Sequence, residues 1–214
     1  MRAFSPNSDL LPSDRELQEG LRALRSGQVI AHPTETVYGL AADPYSFPAL
    51  EKILALKGRQ ESKGFILLIK DRADLSEIVT SPSPLAQTFM EHFWPGPLTL
   101  IMPARPGVPD WVTGGRGSVA VRHSSSPHVA ALLGVWGKPL VSTSANLSGS
   151  PPLTTGTRVR ECFGSRIGCI MDGRCPTGSL PSTIVALDEE VPRIVRAGAV
   201  TIEMLRSVWP SMLL

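Results

Sequence analysis

The chain has 214 residues, 42% hydrophobic and 19% charged, enough for one domain with a substantial buried core. Its formal charge of +2 is too small for bulk electrostatics to indicate nucleic acid, so any anion site must arise from local clustering. No apolar run approaches the roughly 18–20 residues of a membrane span, and the N-terminal residues lack a secretory pattern, which predicts a cytoplasmic protein with no membrane partner.

Residues 1–13, polar and holding two prolines, are expected to form a loose arm ahead of a single domain over 14–214. Ser13 and Glu16 make a capping box, and Leu17, Leu21 and Leu24 fall on one helical face, which predicts a helix over 14–26. "QVIAH" reads as a buried strand stopped by Pro33. A helix is predicted over Pro48–Leu56, a strand in "FILLIK", and a helix over Pro84–Phe93. "PLTLIMP" and "SVAVR" read as strands, followed by a helix over 127–136 and the strand of "PLVSTS". "RVRECFG" has a helical pattern, "RIGCIMD", "STIVAL" and "RIVRAG" are strand-like, and "TIEMLRSVW" closes with a helix. Several neighbouring strands have links too short for a helical crossover, so the fold class is α/β with a mixed, parallel and antiparallel, open sheet flanked by helices. Cys162, Cys169 and Cys175 are odd in number and form no C-x-x-C, which predicts free thiols in a reducing compartment.

The P-loop order, a nucleophile elbow, H-E-x-x-H and His/Cys clusters at metal spacing are all missing, so no protein-bound metal is expected. Chemistry instead gathers at strand ends. Lys57, Arg59 and Lys63 in "LKGRQESKG" put three cations just past a helix and just before a strand, able to converge on phosphate. In "HPTETVYGLAADP", Thr34, Glu35 and Thr36 stand at a strand mouth, where hydroxyls can orient a small amino-acid-like ligand or simply cap a turn. Arg122 ends "SVAVR", well placed to grip a carboxylate or phosphate with both arms of its fork, though a surface ion pair explains it equally. Ser142, Thr143, Ser144 and Asn146 follow an apolar run and offer neutral partners for a nucleotide, or a turn. Ser182 and Arg196 occupy opposite ends of two neighbouring strands.

The blocks "HPTETVYGLAADP", "LKGRQESKG", "FWPGPLTLIMP", "SVAVRHS", "KPLVSTSANLSGSPP", "PSTIVAL" and "RIVRAG" occur in the order found in threonylcarbamoyl-AMP synthases of the TsaC/YrdC type, and the chain resembles that family over roughly residues 14–206. The resemblance implies a twisted YrdC/RibB-like sheet with a concave basic cavity. It also implies an enzyme that joins ATP, L-threonine and bicarbonate, with Mg²⁺ accompanying ATP. Downstream threonylcarbamoyl-transfer proteins would then modify the adenosine next to the anticodon of tRNAs reading codons that begin with A. By the same resemblance, Lys57 and Arg59 form the catalytic Lys-x-Arg pair, and Arg59, Lys63, Ser118, Ser144, Asn146, Pro152 and Arg196 face ATP. Thr34, Thr36, Leu68, Arg122, Ser142 and Ser182 face threonine, Leu68 through its backbone and Arg122 through the carboxylate. The family's usual proline after the Lys-x-Arg pair is replaced by Gln60, and the chain, ending at Leu214, implies the compact form that works with separate partners. No block supplies a strong general base, Glu35 being a weak candidate, so alignment and electrostatics are expected to carry catalysis. Two rivals are a carbamoyl-adenylate-forming transferase related to hydrogenase maturation, and a module that binds tRNA or double-stranded RNA, weakly, through the same basic cavity.

Overall fold

The computed structural model describes residues 11–58, 64–188 and 191–210. Helix α1 (Asp14–Arg25) begins on the expected capping box, with Ser13 and Glu16 each satisfying the other's backbone amide. Strands β1 (Ile30–His32) and β2 (Gly39–Ala42) pair antiparallel, and α2 (Phe47–Lys57) ends on Gly58 in the left-handed conformation. Then come β3 (Ile66–Leu68), a 3₁₀ turn (Arg72–Glu77), α3 (Pro84–Phe93), β4 (Leu98–Pro103) and the single turn α4 (Asp110–Thr113). β5 (Ser118–Arg122), α5 (Pro127–Trp136), β6 (Leu140–Ser144), α6 (Gly156–Phe163) and β7 (Cys169–Ile170) follow. β8 (Thr183–Ala186), β9 (Arg193–Arg196) and α7 (Ile202–Val208) complete the described chain.

All nine strands of the described residues join one sheet in the order β7-β1-β2-β6-β3-β5-β4-β8-β9. β1 with β7, β3 with β5 and β4 with β8 are parallel, and the other five pairs are antiparallel, the mixed sheet that the short links require. β2 escapes the sequence reading, which took its block as a strand mouth. "GLAA" has no β-branched residue and no alternation, because the strand is buried on both faces between β1 and β6. None of the described helices is long and apolar enough to cross a membrane.

The two faces of the sheet are covered unequally, and this positions the site. On one face Leu67, Leu100, Val121, Val141 and Val185 pack with Leu50 and Ile53 of α2 and Phe89 of α3 in the larger core. On the other, Ile30, Ala41, Leu68 and Leu140 pack under Leu24 of α1 and Val129, Leu132 and Leu133 of α5. That second cover stops short. Ile66, paired with Ala120 and Ser142, and Ile101, paired with Ala120, are only half-buried on the same face. Sheet alternation therefore delivers Ser118, Ala120 and Arg122, and Ser142 and Ser144, onto an open floor.

Candidate active site

A half-open hollow lies on that floor. Thr34, Thr36, Leu68, Arg122, Ser142, Thr143, Ser144, Ser182 and Arg196 all line it, nine of the residues singled out from sequence. Tyr38 and Pro181 stand in its wall alongside the strand backbone. Antiparallel pairing of β8 and β9 explains one meeting: opposite chain ends become the same spatial end, so Arg196 donates from Nη2 to the Ser182 hydroxyl at 3.0 Å.

Both arginines are fixed by the frame. Arg122 donates from Nε to Gly96 O at 3.2 Å and from Nη2 to Thr36 Oγ1 at 3.1 Å, and it pairs with Glu35 Oε1 at 2.8 Å. Arg196 donates from Nε and Nη2 to Ser182 O. In each, Nη1 is the nitrogen that makes no such bond among the described residues. Arg122 therefore does not offer an incoming carboxylate the two-armed grip expected from sequence, because Nε and Nη2 are already bonded; it offers Nη1. Burial, and then the neighbouring Arg122 charge, hold the Arg196 pKa below its usual value. Two guanidinium groups thus feel each other across one hollow, and Glu35 is the only carboxylate ion-paired with either among the described residues. Such an excess of positive charge favours an anion.

Glu35 is not aimed at substrate as a base. Ser124 Oγ and Ser125 N donate to its two oxygens, and Arg122 holds its pKa below the ordinary value against the opposing effect of burial.

Thr34 and Thr36 serve the turn as well as the wall. Thr34 Oγ1 donates to Val37 O at 2.7 Å and accepts from the amides of Thr36 and Val37. With that proton committed, the 2.8 Å contact between the two hydroxyls has Thr36 as donor. Thr36 Oγ1 then accepts from Arg122, and Ser179 Oγ donates to Thr36 O, tying the β8 approach to the same turn.

Other sequence candidates sit elsewhere. Lys57 is buried behind the hollow, its ammonium bonded to Ser144 O, Asn146 O and Asn146 Oδ1. Asn146 is likewise engaged, accepting from Ser144 Oγ at 2.7 Å and donating to Leu147 O and Ser150 O. Neither Lys57 nor Asn146 lines the hollow; they shape the loop that presents Ser144. Ser118 shares the floor but lies four residues along β5 from Arg122, about 13 Å away at the usual strand rise. Pro152 is half-buried in the loop before α6, outside the lining. Arg59 and Lys63 lie outside the described residues.

Sequence reasoning missed His32, whose Nε2 lies 3.2 Å from Ser142 Oγ. Its one visible signal was a polar ring closing an otherwise apolar strand. Among the described residues no group of three or more His, Cys, Asp or Glu side chains could hold a metal ion.

The family model Sua5_yciO_yrdC, which carries the description "Telomere recombination", matches residues 22–198. The chain is 43% identical over 181 residues to a protein of Thiobacillus denitrificans named threonylcarbamoyl-AMP synthase, covering 84% of this chain and 95% of that one. A protein of the same name from Nitrosococcus oceani is 44% identical over 163 residues, 76% of this chain and 88% of its own length. The structure of P. abyssi Sua5 complexed with L-threonine superimposes with a TM-score of 0.89 at 32% identity. That match takes in 94% of this chain, which spans 59% of the Sua5 chain.

Proposed function

The chain belongs to the Sua5/YciO/YrdC family, and from that premise we propose that it is a threonylcarbamoyl-AMP synthase, joining L-threonine, bicarbonate and ATP into L-threonylcarbamoyladenylate with release of pyrophosphate. One observation carries the reading: Arg122 and Arg196 share a hollow with the hydroxyls of Thr34, Thr36, Ser142, Ser144 and Ser182. A substrate set of one amino acid, one small anion and one nucleotide needs such a mixture, cations for carboxylate and phosphate and neutral partners for the rest.

The chemistry divides into two displacements. The amine of threonine, once deprotonated, forms an N–C bond to bicarbonate and water leaves, giving the carbamate. A carbamate oxygen then forms a bond to the α-phosphorus as the bond to the bridging oxygen breaks, and pyrophosphate departs. Arg122 Nη1 is the donor for the threonine carboxylate, and Arg196 Nη1 faces the nucleotide's phosphates. Mg²⁺ enters as part of the ATP substrate, carried by phosphate oxygens, and offsets charge there. Arg59 and Lys63 are the further phosphate ligands of this proposal. Holding three reactants in line is the main catalytic contribution, worth about 7–11 kcal/mol in well-oriented systems.

The product is a mixed anhydride and needs a consumer, which we take to be separate transfer proteins acting on tRNA in the cytoplasm. Radiolabelled bicarbonate incubated with threonine, ATP and Mg²⁺ should yield a labelled adenylate and pyrophosphate. An adenylate labelled only when radiolabelled carbamoyl phosphate replaces threonine and bicarbonate would favour the transferase instead. A salt-sensitive tRNA gel shift without any ATP consumption would favour the RNA-binding module.

A further inference from the structure

The protein partner that sets the direction of the Ser142 hydroxyl lies two strands away. His32 ends β1 and is fully buried, and it pairs in register with Gly39 of β2, which pairs in turn with Ser144 of β6. The imidazole reaches over Gly39 to Ser142, the neighbouring residue on the same face of β6. Only glycine permits this: a Cβ at position 39 would lie 2.6 Å from Ser142 Oγ and 2.7 Å from His32 Nε2.

The proton positions follow from the contacts. His32 Nδ1 lies 3.4 Å from Pro33 O, an acceptor only, so Nδ1 carries the hydrogen. Nε2 then presents a lone pair, and Ser142 Oγ must donate to it at 3.2 Å. Burial depresses the imidazole pKa to about 4, so the lone pair persists through the neutral range. The Ser142 hydroxyl has no other hydrogen-bond partner among the described residues, and Ser142 lines the hollow, which leaves the oxygen's lone pairs for a ligand.

We propose that His32 is a positioning residue that holds Ser142 as a hydrogen-bond acceptor for the N–H groups of the amino-acid substrate. An unconstrained hydroxyl would serve a carboxylate oxygen as readily as an amine. With its proton committed to His32, Ser142 favours the amine end and leaves the carboxylate to Arg122, which fixes which way round the amino acid binds. This rests on the synthase reading, and specifically on threonine occupying the Ser142 side of the hollow.

The test is a double-mutant cycle on purified protein: wild type, His32→Phe, Ser142→Ala and the double variant, each assayed for kcat and for KM of threonine and of ATP. His32→Phe should raise the threonine KM roughly five- to tenfold, the value of one neutral hydrogen bond, with the ATP KM unchanged. The double variant should be no worse than Ser142→Ala alone. His32→Gln, which keeps an acceptor, should recover part of the loss. Should His32→Phe not fold, as read by thermal melting, the cycle is run with His32→Gln, whose smaller loss should likewise vanish in the Ser142→Ala background. Calorimetric titration of threonine without ATP supplies a readout independent of turnover. Multiplicative effects in the double variant, or equal rises in both KM values, would overturn the role of His32 while leaving the synthase intact. A wild type that forms no adenylate from threonine sinks the underlying reading, and the inference with it.

Discussion

Arg122 and Glu35 form an ion pair at 2.8 Å with side-chain exposures of 7% and 17%, so water cannot replace either partner. The pair solves a problem that a basic pocket creates. A buried guanidinium needs a counter-charge when the ligand is away, yet must keep a donor for the ligand when it arrives. Assigning Nη2 to Glu35 and Thr36, and Nε to Gly96, leaves Nη1 for the substrate. Glu35→Gln should therefore destabilise the protein by roughly 3 kcal/mol, because it strands a buried cation. The measurement is the urea midpoint at unchanged m-value. A shift of less than about 1 kcal/mol would mean that Arg122 reaches solvent through the hollow. Arg122→Lys keeps the charge but not the fork, and should raise the threonine KM about tenfold while sparing that for ATP. Arg122 itself was legible in the sequence as a cation at a strand end. Its pairing with Glu35 was not, since the two are joined only once β5 and the turn after β1 meet in space.

At the scale of elements, the loop after β6 is organised from behind. Lys57, in the last turn of α2, donates to oxygens of Ser144 and Asn146, while Ser148 N donates to Lys57 O at 2.8 Å. The helix end and the loop are thus bound to each other in both directions, and Ser144 is held at the rim of the hollow. Read from sequence, Lys57 belongs with Arg59 and Lys63 as one basic cluster. In the structure its side chain falls on the buried face of α2, while Arg59 and Lys63 lie outside the described residues. Lys57→Met should remove the ammonium and leave the Ser144 and Asn146 oxygens without a donor, lowering stability by about 2–3 kcal/mol. The ATP KM should rise at least tenfold as Ser144 loses its fixed place, with a smaller effect on threonine. An ATP KM within twofold of wild type would show that the loop holds its shape without Lys57. Helices and most strands were readable because caps, prolines and apolar periodicity act locally. β2 and α4 were not: the first is specified by the two strands that flank it, and the second is a single turn closed by Gly114.

Over the whole molecule, a sheet packed fully on one face and partly on the other places polar groups where the second cover ends, and some of them become buried. His32 is the extreme case, a fully buried imidazole whose pKa burial lowers from 6.5 to about 4. His123 and His128 are shifted in the same direction, also mainly by burial. In the unfolded chain these rings take up protons below about pH 6.5, while His32 in the folded protein stays neutral until about pH 4. Between those values the unfolded state binds more protons, so stability falls as the pH falls. The depressed carboxylates, Glu35 among them, add their loss only at lower pH, below about 4.5. Acid destabilisation should therefore begin near pH 6.5, two units before carboxylate protonation can cause it. Between pH 7 and pH 5 His32 alone should account for about 2 kcal/mol. Urea unfolding at those two pH values, in wild type and in His32→Gln, isolates that share: the variant should lose about 2 kcal/mol less. Equal losses in the two proteins would mean that His32 gains its proton without unfolding the site, and that the partly covered face admits water to the end of β1.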